Sequence, residues 1–590
     1  MRIKPLLIAS AAVAIVALPA LAQQPATVQP ALPANQYPNR SIGPTVGQPS
    51  PAATPSTATV ATGPDESAVE EVGALNLPPP PPPIEYPGWA RRDVWTVGVL
   101  DPTHEGLGSA PWGDASGTFL STLMRRMDTP LASRWAHIAL RDALLAKVRA
   151  PRDVNPVDWA AERAWLLLRM GEADAGRMIV AGVDTDKFTP KMVQVAVQSA
   201  LANADPPALC PIQDGIRKYD AGIRALVQAM CSSLAGEPET ASAQIEDARR
   251  FGRVGGIDLA LAQKVVGAGS NTGQAATIEW DPVDNLTAWR FGLATATGMT
   301  LPGRLLNPAS PQLRAFQARA PLLPAQQRLD SAFVAAGLGV FSSQTMVDLY
   351  SAVYDSTDAS DLPDTDAWQL RQAFVGKDQD ARMNAIRKIL GTGKDGYRKE
   401  AARAAVARAA TLIEPDRDLQ KDAPDLISAM LAAGYDQAAA RWDRAVARMD
   451  DDPADRCWAM LALASPGSVD VSSGRIQAFI RRDQSKDKTR SALLVAGLAG
   501  LGRISTDAAN SLNRRYGLGL GRTTSWTRIM DSAASRGQAG TVLVLTGTGF
   551  QTASLNQLPA AHMYHAISGL KRTGQDFAAR MIAAEALSRT

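Results

Sequence analysis

Apolar residues return at three- and four-residue intervals through most of the chain, the period of one face of an α-helix. Between 224 and 234, Leu226, Val227, Met230, Cys231 and Leu234 share a face, and Leu166 with Met170 and Phe479 with Ile480 lie in comparable stripes. Near the start, 94–100 reads instead as an extended, β-type run that leads into a Gly/Pro-rich loop at 101–117. The pattern predicts a short extended or looped lead-in at 88–117 and a helical body over 118–590.

The first 87 residues lack this periodicity. Arg2 and Lys4, an apolar stretch at 6–18, the helix-breaking Pro19 and the triplet Ala20-Leu21-Ala22 compose a secretory signal peptide over 1–22. Cleavage is expected between Ala22 and Gln23. The apolar stretch is short for a spanning helix, and no Cys follows the cleavage site, so a lipid anchor is not expected. Residues 23–87 are built from Pro, Ala, Thr, Val, Ser and Gln and contain six consecutive prolines at 78–83. Such a segment buries too little apolar surface to offset chain entropy, so a disordered tether is expected. The proline run itself should be polyproline II, rising about 3.1 Å per residue, and serve as a spacer. Recognition of the run by an aromatic groove is the alternative.

Composition sharpens the class. The chain is 46% apolar but only 5% aromatic, because Ala and Leu supply the hydrophobic share, and these favour helix over sheet. Lys and Arg number 61 against 58 Asp and Glu, and loss of Arg2 and Lys4 takes the formal charge from +3 to +1. No strong field remains to favour nucleic acid, which is not an expected partner. No other stretch approaches about 18 uninterrupted apolar residues, so no transmembrane segment is expected once the signal is removed.

A turn between two helices recurs. Gly171, Gly236, Gly434 and Gly574 are each followed five positions later by a small residue, namely Gly176, Ala241, Ala439 and Ala579. In an antiparallel helix hairpin the first glycine allows a left-handed cap, and the small residue lets the second helix pack closely. The glycines are 65, 198 and 140 residues apart, which fits a bihelical period of about 34 residues. These turns resemble tetratricopeptide-type repeats, although the aromatic positions usual in that family are not regularly filled. The resemblance implies an all-α, right-handed superhelix or solenoid of antiparallel hairpins, whose concave face binds proteins or peptides.

Chemistry-bearing residues are sparse. Cys210 and Cys231 have 20 residues between them, and in an oxidising envelope they are expected to close a structural disulfide, with two buried thiols as the alternative. That loop would stabilise by about 3 kcal/mol on the chain-entropy view. Cys457, beside Trp458, reads as a small core residue. His562 and His565 are three apart but lack the companions of a metal site, and His104-Glu105 sits in the loop that follows Asp101. His137 completes the four histidines. Asp355, Asp358, Asp361, Asp364 and Asp366 lack calcium-loop spacing, and Asp364 or Asp366 is expected to cap the following helix. Gly391-Thr392-Gly393-Lys394 and Gly517-Leu518-Gly519-Leu520-Gly521 lack a strand–turn–helix setting for phosphate. Ser485 and Lys488 match a Ser–Lys spacing without its companion motifs.

A periplasmic superhelix is also similar to the helical platform of soluble lytic transglycosylases, whose catalytic Glu precedes a Ser. The one Glu-Ser pair here is Glu66-Ser67, inside the tether. The expected function is therefore an exported, periplasmic or envelope scaffold that binds a protein or peptide without catalysis, metal or cofactor. The alternative is a cell-envelope hydrolase acting on cell-wall polymer through carboxylates.

Overall fold

Helix after helix in this chain ends where one residue turns left-handed. In the computed structural model, which describes residues 87–103, 106–216, 221–251, 254–269, 277–393 and 396–590, Gly171, Gly236, Gly434 and Gly574 have φ of 89°, 85°, 79° and 86°. Their N–H groups donate to the carbonyls of Leu168, Ser233, Leu431 and Lys571 at 3.0–3.2 Å. The next residue's N–H reaches one carbonyl further back in each case, on Leu167, Ser232, Met430 and Leu570, at 2.8–2.9 Å. This paired closure is the Schellman motif, and it satisfies two carbonyls that a helix end would otherwise leave open. The same pair of bonds closes helices at Gly298, Gly502 and Gly537, and at Ala204, an alanine at φ 50°. Turns at 171, 204 and 236 are spaced by 33 and 32 residues, and those at 502, 537 and 574 by 35 and 37.

At 171, 236 and 574 the turn joins helices that pack as neighbours. Pro156–Met170 lies against Ala173–Ala181, Ala221–Leu234 against Pro238–Arg250, and Ala560–Arg572 against Asp576–Ser588. A Cβ at Gly176 would come within 3.1 Å of Leu168 and 3.3 Å of the Ala164 carbonyl, so the two helices meet closely there. Ala241, Ala439 and Ala579 are fully buried. The protein is an all-α solenoid of such pairs, with no strand among the described residues.

The 94–100 run, expected to be extended, is broken by a turn at 94–95 and bends at 96 and 99, and it finds no sheet. Its one bridge pairs Leu100 with Ala146, through Val99 N–H to the Leu145 carbonyl at 2.8 Å and Lys147 N–H to the Leu100 carbonyl at 2.8 Å. The buried guanidinium of Arg163 fastens this lead-in by donating to the carbonyls of Val97 at 2.8 Å, Leu144 at 2.7 Å and Ala146 at 2.9 Å. Helix ends supply the partners that a second strand would have supplied.

The helix Gly396–Ala410 occupies the interior. Ala401, Ala402, Ala404, Ala405, Ala407, Ala409 and Ala410 are all buried, while its charged residues gather mostly in the first two turns. It packs against Ala325–Leu338, Ala423–Ala432, Ser343–Asp355 and Gln379–Thr392. The two ends of the described chain also meet. Asp576–Ser588 and Ala539–Gly549 both pack on Arg134–Leu145, near the start of the body, whereas an open solenoid touches only neighbouring repeats. Among the described residues no helix is long and apolar enough to cross a membrane.

Candidate functional site

The seam where the ends meet is built around two buried charges. Ser133 caps the Arg134–Leu145 helix, accepting from Ala136 N–H at 3.0 Å. The exposed N–H groups of that first turn then face Glu585 of the last helix. Its carboxylate accepts from Ser133 Oγ at 2.6 Å, Arg134 N–H at 2.8 Å and Trp135 N–H at 3.1 Å. A negative charge at a helix N-terminus meets both the orphan donors and the positive end of the dipole.

Arg134 works in the opposite sense. Its guanidinium donates to the Ala336 and Phe341 carbonyls at 3.0 Å each, and to the Ala432 carbonyl. These are the C-terminal carbonyls and connecting backbone of Ala325–Leu338 and Ala423–Ala432. Burial pulls the guanidinium down to about 10, with the Glu585 charge working against that pull. Arg589 binds Glu585 at 2.7 Å and Glu400 at 3.5 Å, and Arg403 continues the chain of charges to Glu400 at 3.1 Å and Asp425 at 3.2 Å. Burial disfavours the Arg589 charge, but Glu585 and Glu400 outweigh it and hold the group above its ordinary value.

Beside this network lies a cavity of about 360 Å³, lined by Leu107, Trp135, Asp142, Gln575 and Phe577 among others. Trp135 and Phe577 meet edge to face, with centroids 5.5 Å apart, and the indole N–H donates to the Leu431 carbonyl at 3.1 Å. Asp142 accepts from Arg141 Nε at 2.9 Å. Burial raises its carboxyl above the usual range, and Arg141 lowers it by less. Behind the wall His137 Nε2 lies 3.0 Å from Glu172 Oε1, both buried. The described cavity walls carry no Ser, Cys, His or Lys. They carry the two aromatic rings and one carboxylate, which Arg141 holds at 2.9 Å.

The residues singled out from sequence lie elsewhere. Cys210 and Cys231 form a disulfide, with Cα atoms 5.6 Å apart. It ties the 3-10 helix Pro206–Ile212 to Ala221–Leu234. Cys457 is buried, and burial pushes its thiol up to about 12. His562 Nδ1 faces the Gly549 carbonyl at 3.2 Å while its ring packs on Trp526, and His565 Nδ1 meets Asp531 at 2.7 Å, so the pair does not converge. No group of three His, Cys, Asp or Glu among the described residues is placed to hold a metal.

Thr365, not Asp364 or Asp366, caps the helix Asp366–Val375, accepting from Trp368 N–H at 3.1 Å. Its extended backbone, at φ −92° and ψ 150°, brings the hydroxyl to that N–H. Gly391 and Thr392 end a helix, and Gly517 terminates Thr506–Tyr516. Lys488 Nζ donates to the Ile480 and Asp483 carbonyls at 2.8 and 3.0 Å rather than to Ser485. The expectations for the signal peptide with Ala22 and Gln23, for the tether, and for Glu66, Ser67, His104, Glu105 and Lys394 lie outside the described residues.

Sequence reasoning missed Arg134, Glu585, Trp135, Phe577 and Asp142. A signal for Glu585 existed, since a lone acid sits in the run Ala583-Ala584-Glu585-Ala586-Leu587, and a charge on a buried stripe requires a partner. Compared with family models, curated proteins and solved structures, the chain matches none.

Proposed function

We propose that this chain is an exported, tetratricopeptide-like scaffold that binds a protein or peptide of the cell envelope and performs no catalysis. The observation that carries the reading is the same two-bond turn returning at steps of 32 to 37 residues, the hallmark of stacked units whose surfaces serve recognition. The sequence at 1–22 supports export. The cavity at the seam supports a partner that presents a Lys or Arg side chain, because Trp135 and Phe577 offer aromatic faces beside the Asp142 carboxylate.

Two measurements test this. N-terminal sequencing of the chain from an envelope fraction should begin at Gln23, and an uncleaved chain retained in the cytoplasm overturns export. A photo-crosslinker placed at Phe577 should capture one defined partner, and Asp142→Asn should weaken that capture. Indiscriminate capture, or capture indifferent to Asp142, overturns the binding reading.

A further inference from the structure

The charges of this chain are unevenly shared. Between 471 and 530 stand 11 Lys and Arg against three Asp, a formal +8 in a chain whose total is +3. One of the three acids, Asp483, is buried and accepts from Ser485 N–H and Ser491 N–H at 2.8 and 2.9 Å. Such an asymmetry sustains a local field that a near-neutral total conceals.

The fold turns part of this excess outward at one place. Ile476, Phe479 and Ile480 bury one face of Ser473–Arg482, and Ala509 and Leu512 bury one face of Thr506–Tyr516. Arg481, Arg514 and Arg515 stay exposed on these helices. Arg515 donates to Gln477 Oε1 at 3.0 Å, which brings the two helices together, and Arg481 lies one turn beyond Gln477 on the same face. The next loop folds back over the end of Thr506–Tyr516, because Leu520 N–H donates to Asn513 Oδ1 at 3.1 Å while Leu518 and Leu520 are buried. Arg522 emerges from that loop exposed. A Cβ at Gly517 or Gly519 would meet nothing within 4 Å, so the loop is open on its outer side. None of these four arginines forms an ion pair among the described residues.

Helix C-termini favour basic residues, which accounts for Arg481, Arg514 and Arg515 one by one. It does not account for Arg522 on its loop, nor for the lack of an acid paired with any of the four. Like charges gathered on a surface repel one another until an anion meets them. These guanidiniums stand on two helices and a loop. Lipid head groups move laterally and can meet each where it stands, whereas a linear polyanion needs a track. The open glycine loop lets phosphates approach the backbone, and Ile529, 41% exposed beside the exposed Arg528, offers an apolar side chain to the head-group boundary. We infer that the surface bearing Arg481, Arg514, Arg515 and Arg522 docks this chain on an anionic phospholipid membrane.

Co-sedimentation of the full exported chain with vesicles at about 0.1 M salt tests it, read as a partition coefficient. Phosphatidylcholine vesicles with about one third phosphatidylglycerol should retain the chain, and phosphatidylcholine alone should not. Each Lys or Arg near an anionic surface strengthens attachment about fivefold. Arg514→Ser with Arg515→Ser should therefore lower the partition about 25-fold, and Arg522→Ser about fivefold. Arg371→Ser with Lys388→Ser removes the same charge from exposed positions on Asp366–Val375 and Gln379–Thr392 and should change it less than about twofold. Equal binding to neutral vesicles overturns the proposal, as does a loss from this second pair as large as from Arg514 and Arg515. Failure to bind anionic vesicles also overturns it, and binding of soluble polyphosphate in that case assigns the surface to a soluble polyanion. No protein partner enters the assay, so its outcome is separate from capture at the seam.

Discussion

Removing the Glu585 carboxylate should loosen a helix that begins 451 residues earlier in the sequence. Glu585→Ala strips three donors of their acceptor, Ser133 Oγ and the N–H groups of Arg134 and Trp135. It also leaves Arg589 with Glu400, at 3.5 Å, as its remaining carboxylate, beside the Ala132 carbonyl at 3.0 Å. Breaking a buried, hydrogen-bonded ion pair from one side costs about 3–5 kcal/mol, and the lost helix-cap interactions belong within that figure. If the Arg134–Leu145 helix opens locally, about 4 kcal/mol lowers its amide protection about a thousandfold. Hydrogen exchange read by mass spectrometry reports it segment by segment. Glu585→Gln keeps the size and one acceptor, so its effect should be about 1–2 kcal/mol. A double-mutant cycle with Ser133→Ala should show coupling of about 0.5 kcal/mol or more. In an open solenoid the damage would stay in the last hairpin and its neighbours. If Glu585→Ala lowers protection in Asp576–Ser588 while Arg134–Leu145 is unchanged, the seam does not hold the two ends together.

Three further outcomes follow from single residues. Replacing Cys210 and Cys231 together with Ser should cost about 3 kcal/mol by denaturant unfolding, while Cys457 should react with a thiol reagent only after unfolding; a fast native reaction at Cys457 contradicts its raised pKa. Gly236→Ala and Gly171→Ala separate backbone strain from crowding, since a Cβ at Gly236 meets nothing within 4 Å whereas one at Gly171 comes within 3.2 Å of Ala315 and 3.4 Å of Val340. The first should cost about 1 kcal/mol from the left-handed backbone alone, the second more, and equal midpoints in urea would refute the distinction. For Asp142, a folded-state pKa above the unfolded one means the folded chain binds that proton more tightly, so the ionised group costs stability at neutral pH and the cost fades as pH falls through the folded pKa. Asp142→Asn should therefore be more stable than the native chain at pH 7, with the gap closing toward about pH 4, near the unfolded value; a gap that widens on acidification refutes it.

The helical hairpins were legible because their signal is local. A Schellman turn needs a residue that accepts positive φ, and a small residue five positions on marks the close packing behind it. Where that second mark is missing the turn escaped notice, and Gly298, which has Gly303 five positions on, was passed over because its second helix is only four residues long. The fifth residues after Gly502 and Gly537 are Asp507 and Val542, and at Ala204 the left-handed residue is not glycine at all. The cap of Asp366–Val375 went to Thr365 because backbone direction, which acidic composition does not encode, decides which side chain reaches Trp368 N–H. The seam was illegible for a different reason. Periodicity relates a residue to others a few positions away, whereas Arg134 finds carbonyls 202 to 298 residues distant.

Arginine has a common task across this fold that follows from its alanine-rich core. Alanine permits close helix approach but offers little side-chain relief to fix how far one helix slides along another. Helix C-termini, by contrast, carry unsatisfied carbonyls and the negative end of the dipole at defined points. A guanidinium with five donors in a rigid fork can gather several of them at once. Arg134 gathers the ends of two helices, and Arg163 gathers Leu144, Ala146 and Val97. Arg503 takes the Ala462 and Ser465 carbonyls, and Arg169 the carbonyls of Met127 and Met124. Burial lowers the proton affinity of all four groups, so each charge is held at a cost that only correct placement of its carbonyls offsets. A hairpin shifted by one turn would leave both the guanidinium and the helix end unsatisfied. Register in this solenoid is therefore set at the helix ends by buried arginines, and the smooth alanine faces between them supply the contact.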